Sequence, residues 1–145
     1  MTERGKDTQV SEASSTPATA HRRGAWLRTV TLLLIAEKVI QHVAVTSAFA
    51  LDYGGIRASV ALDYRLFMVA GAASAVLFAL SGWALVQRKP WTAGLLVALA
   101  LVDIVGEFLA QGTLMITINV SILVATALLV LSLFSLRGAG SARAR

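Results

Sequence analysis

The chain has 145 residues, 57% of them hydrophobic and only 14% charged, with a net charge of +5 and a mean hydropathy of +0.72. Soluble domains run nearer half apolar and about a quarter charged, so an apolar excess gathered in long blocks places the chain in the membrane class. The absence of cysteine excludes disulfides, thiolate metal sites and CxxC redox chemistry. The basic residues flank the apolar blocks instead of lining a helix face, which excludes a nucleic-acid partner.

Residues 1–24 read as a disordered tail, small and polar without periodicity. Arg22-Arg23 precede an apolar run too long for a signal core, and that run carries Glu37 and Lys38 in its middle. It is therefore expected to be an uncleaved first span, about 26–50. Gly54-Gly55 mark a turn in the following loop, where Ile56 to Leu62 fit a short interfacial helix or a strand. Asp52, Arg57, Asp63 and Arg65 are expected to be solvated loop charges, with Asp63 also placed to cap the next helix.

The second span, about 66–87, carries no charge. Gly71, Ala75 and Ala79 recur every four residues and predict a flat packing face. Pro90 suits the first turn of a third span, about 91–111, with Trp91 at the interface. Gly112-Thr113 leaves room for only a tight antiparallel connection to a fourth span, about 114–136. Residues 138–145 read as a disordered basic tail.

Ten of the thirteen basic residues then fall on one side, two on the other, and Lys38 lies inside. The positive-inside rule makes both termini cytoplasmic in a cell membrane. The fold expected is an all-α integral membrane protein, an antiparallel four-helix bundle over 25–137. Arg outnumbers Lys ten to three, which hints at a GC-rich bacterial genome.

Glu37-Lys38-Val39-Ile40-Gln41-His42 is a costly sequence to bury. At 100° per residue Glu37, Gln41, Lys38, Thr31, His42 and Thr46 share one half of the first helix, leaving Val39, Ile40, Val43 and Ala36 for lipid. Asp103, Glu107 and Gln111 form a matching stripe at i, i+4, i+8 on the third span, with Gly106 and Ala110 beside them for close approach. At a 1.5 Å rise, Glu37 and Asp103 lie ~17–18 Å from their cytoplasmic ends, while His42, Glu107 and Asn119 lie ~24–26 Å in.

One intramembrane cluster in two layers is therefore expected. The inner layer holds Glu37, Lys38 and Asp103; the outer holds Gln41, His42, Glu107 and Asn119; Gln111 stands at the mouth. Lys38 should pair with Glu37 or Asp103, because an unpaired buried charge costs several kcal/mol.

The four-span layout and Ala36-Glu37 resemble the small multidrug resistance transporters. The resemblance implies Glu37 as the shared proton and cation site of a dimer. Lys38 beside that Glu, Asp103 and Glu107 in the third span, and the lack of an aromatic lining all depart from the pattern. The span count is also similar to that of DoxX-like proteins, without matching motifs. No family is assigned on these features.

No metal site is expected, since Glu37 and His42 diverge by about 140°. No cofactor is expected either, since a single intramembrane histidine cannot provide two axial haem ligands. The readings that remain are proton- or small-solute-linked transport, a non-catalytic membrane subunit or scaffold, and a membrane enzyme acting on a lipid. In the last, Glu107 or His42 would be the acid/base; no nucleophile or phosphate-binding loop supports it, so an enzyme is the weaker expectation. The partners implied are the lipid bilayer and a homo-oligomer or another membrane subunit.

Overall fold

A computed structural model describes residues 17–60, 62–111 and 120–143, with side chains described for 24–60, 62–109 and 120–136. Among the described residues four α-helices follow one another: α1 Pro17–Leu51, α2 Tyr64–Val86, α3 Thr92–Gln111 and α4 Val120–Arg143. A short 3-10 helix, Tyr53–Ala58, joins α1 to α2. Among the described residues there is no strand. Three helical stretches, Gly24–Leu51, Tyr64–Val86 and Thr92–Leu109, are long and apolar enough to cross a membrane, and Val120–Leu136 is a shorter apolar helix.

The helix ends differ from expectation in three places. α1 begins at Pro17, inside the segment read as a tail, with the proline in the first turn where its missing N–H costs nothing. α4 runs to Arg143, into the segment read as a C-terminal tail. Pro90 lies two residues ahead of α3, where Thr92 Oγ1 donates to the Lys89 carbonyl. The expected starting residues of the fourth span and its connection lie outside the described residues.

α1 packs most extensively on α2, and α3 on α4, so the molecule is two hairpins set side by side. A compact apolar layer joins them: Ile35 from α1, Phe78 from α2, Leu96, Leu99 and Ala100 from α3, and Leu128 from α4. Outward surfaces are also apolar, with Ile40, Val76, Val102 and Leu123 all well exposed. Ala36, Ile40 and Val43 face out as expected, while Val39 turns in against the core.

α1 and α2 approach closely at Gly71, where a Cβ would sit 2.5 Å from Thr46 Oγ1. Ala75 and Phe78 continue that buried face, and Gly82 meets Ile35, whereas Ala79 is exposed. The packing stripe is thus i, i+4, i+7, i+11, following 3.6 residues per turn; a strict four-residue repeat drifts off the contact. Among the described residues nothing lies within 4 Å of a Cβ at Gly106, so none of them uses it for close approach.

Both ends of the α1–α2 hairpin are tied by arginine. Arg57, expected to be solvated, donates from Nε to the Phe49 carbonyl at 2.8 Å and from Nη2 to the Ala50 carbonyl at 2.6 Å. It also lies 4.7 Å from the centre of the Tyr64 ring. It therefore closes the C-terminus of α1, whose last carbonyls lack intrahelical partners. Asp63 caps α2 as expected, accepting from the Arg65 backbone N–H at 2.9 Å. At the other end Arg28 donates to the Val86 carbonyl at 2.7 Å, finishing α2.

The turn after α2 carries an unusual residue. Lys89 N–H donates to the Ala84 carbonyl and Arg88 N–H to the Leu85 carbonyl, the pair of bonds that makes a Schellman C-cap. The left-handed position of that motif normally belongs to glycine, yet here it is Arg88, with φ of 55°. A side chain in that conformation costs about 1–2 kcal/mol.

Candidate functional site

The polar residues of α1 and α3 do converge, with Lys38 at the centre. Its side chain has no exposure, and its ammonium is enclosed by three helices. Lys38 Nζ lies 2.6 Å from Asp103 Oδ2 on α3. It donates to Gln41 Oε1 at 2.9 Å, and on α4 to the Ser121 carbonyl at 2.8 Å and hydroxyl at 2.9 Å. An ammonium has three protons, so its four oxygen neighbours share them, and Asp103 Oδ2, the nearest, is its ion-pair partner.

The second oxygen of Asp103 lies 3.2 Å from His42 Nε2. The imidazole stacks on Phe78 of α2, with ring centres 5.6 Å apart and planes at 19°. His42 and Asp103 keep slight exposure, 16% and 9% of their side chains. One carboxylate is thus shared by a fully enclosed ammonium and a partly enclosed imidazole.

Of the eight residues expected in the cluster, Lys38, Gln41, His42 and Asp103 are in direct contact. The expected pairing of Lys38 is made with Asp103. Glu37 is half-buried, its Oε2 enclosed without a hydrogen-bond partner among the described residues. Glu107 is half-buried one turn beyond Asp103 on α3. Asn119 and the side chain of Gln111 lie outside the described residues.

The two expected layers merge, because a lysine side chain is long enough to span much of the ~5.4 Å helical pitch that separates them.

Ser121 is the residue that sequence reasoning missed. Serine in an apolar helix usually bonds back to its own backbone, as Ser81 does here by donating to the Phe78 carbonyl. Nothing in the sequence separates Ser121 from that behaviour except its place two residues after Asn119.

Toward the basic end of the bundle, the network gives way to the apolar layer. Beyond that layer a cleft of about 1090 Å³ opens between the start of the apolar run in α1, the α2–α3 turn and the C-terminal half of α4. Leu96 belongs to both the layer and the cleft wall. Among the described residues no group of three or more His, Cys, Asp or Glu is placed to hold a metal ion.

No family model, curated protein or solved structure matches the chain.

Proposed function

We propose that the chain is an integral membrane protein crossing the bilayer four times, with both termini cytoplasmic, and that it moves protons or a small solute in a proton-linked manner as an oligomer of such protomers. The apolar outward faces of all four helices and the ten-to-two division of basic residues support the placement. One observation carries the functional reading: His42 sits on the free oxygen of a carboxylate that Lys38 already neutralises.

A purely structural network would be complete with Lys38, Asp103, Gln41 and Ser121. The imidazole adds a group with one nitrogen that donates a proton and one that accepts. A proton on His42 would set a second α1 cation on the Asp103 carboxylate, in competition with Lys38. Proteoliposomes bearing His42→Gln or Asp103→Asn should lose pH-driven flux that the wild type shows. A wild type inert toward protons and every solute tried, or variants with undiminished flux, would sink the reading.

The enclosure of Lys38 by groups from three helices favours a second reading, a membrane scaffold whose network fixes the bundle for a partner. That reading predicts a co-purifying membrane subunit and an unfolding midpoint that falls in Lys38→Met but not in His42→Gln. Topology is testable separately. The chain has no native cysteine, so single cysteines at Ser59 and Gln87 should react with impermeant maleimide from opposite faces of intact cells and inverted vesicles.

A further inference from the structure

The geometry points to a binding site for a phosphate-bearing amphiphile in the cleft at the basic end of the bundle. Its volume, about 1090 Å³, is at or just above the upper end of ligand sites, roughly 300–1,000 Å³. Arg28, Arg88 and Lys89 contribute to the lining, and no carboxylate among the described residues does. Leu27, Leu85 and Leu131 line it as well. Cations with leucines in one cavity match an anionic head with an apolar tail.

Two independent features indicate that the cleft is built for an anion. The first is Ser132. Of the five hydroxyl side chains in the lining, Thr29, Thr31, Thr92 and Ser135 each donate to a nearby backbone carbonyl. Ser132 is 3% exposed, and its Oγ has no hydrogen-bond partner among the described residues. A buried hydroxyl left without a partner is an unmet cost that a bound acceptor would remove.

The second is Arg88 in the left-handed cap position. Glycine there would relax the turn, so the arginine is held against a backbone preference. Arg28 is fixed beside it by its bond to Val86, two residues earlier. Arginine offers the forked, always-charged donor set that suits phosphate. The inference rests on the cleft and not on the proton-linked reading of His42.

Arg88→Gly is the decisive variant, because it should relieve the turn while removing the ligand's partner. The full chain in neutral detergent would be titrated with phosphatidylglycerol and phosphatidylcholine by native mass spectrometry, with inorganic phosphate as competitor. Phosphatidylglycerol should bind with clear preference and resist displacement by phosphate. Arg88→Gly should weaken it roughly tenfold, the worth of one charge-assisted bond, at an unchanged or raised unfolding temperature. Ser132→Ala should weaken it by a smaller factor.

Lys89→Gln gives a second reading should Arg88→Gly express poorly. Arg65→Gln, at the other end of α2, removes the same charge away from the cleft and should change nothing. Equal binding of phosphatidylcholine, an equal loss in Arg65→Gln, or no loss in Arg88→Gly and Lys89→Gln would each overturn the site. Full displacement by inorganic phosphate would overturn the amphiphile and leave a free-anion site.

Discussion

Replacing Lys38 by Met keeps most of the side-chain length and removes the ammonium. Asp103 then keeps His42 at 3.2 Å, and the Gln41 oxygen and the Ser121 hydroxyl lose their donor. Breaking a buried ion pair by deleting one partner costs ~3–5 kcal/mol; the imidazole can recover part of that, so we expect ~2–4 kcal/mol for Lys38→Met. Asp103→Leu should cost a similar amount, because it strands a fully enclosed ammonium. The double variant should cost less than the sum, since removing both charges together is often near neutral.

The coupling energy should reach ~2 kcal/mol or more, well above the ~0.6 kcal/mol average of neutral interhelical hydrogen bonds in membranes. Unfolding in mixed micelles can be followed through the three tryptophans. Additivity within ~0.5 kcal/mol would refute the pairing as the energetic centre of the bundle.

Three further expectations concern the frame. Gly71→Ala should lower stability by ~1–3 kcal/mol, since the added methyl meets Thr46 Oγ1 at 2.5 Å; Gly94→Ala, where it meets nothing, should be neutral or gain up to ~1 kcal/mol in the same melts. Arg57→Ala should cost ~1–3 kcal/mol through the lost bonds to Phe49 and Ala50, with faster hydrogen exchange confined to residues 49–58. Asp63→Ala should cost ~1 kcal/mol through the lost cap on α2, read as a lower melting temperature, and Asp63→Asn should restore most of it.

The helices were legible because apolar runs of spanning length have few alternative structures. The ion pair was legible because Lys38 and Asp103 sit at equal depth in their helices, and a buried ammonium needs a carboxylate. Residues whose role depends on their neighbours were not legible. Arg57 looks like any loop charge until the chain turns back and places it under the end of α1. Ser121 differs from Ser81 only in which helix its hydroxyl faces. The packing stripe was misread at Ala79 because a repeat of four approximates 3.6 well over one turn and poorly over three. Arg88 carried no sequence signal, since its conformation is set by the turn it ends.

Lys38 and Ser121 lie 83 residues apart, and that span has a consequence for biosynthesis. On the proposed membrane placement, helices that insert in chain order deliver the lysine first and its α3 and α4 partners last. A lysine at the centre of an inserting helix costs ~2.5–3.5 kcal/mol, and until α3 arrives Gln41 is the local group placed to relieve it. The first hairpin must therefore wait in an unfinished state, held by its glycine-lined contact with α2. A chain truncated after α2 should insert poorly or turn over quickly. Synthesis of the last helix would then act as the quality check on the first.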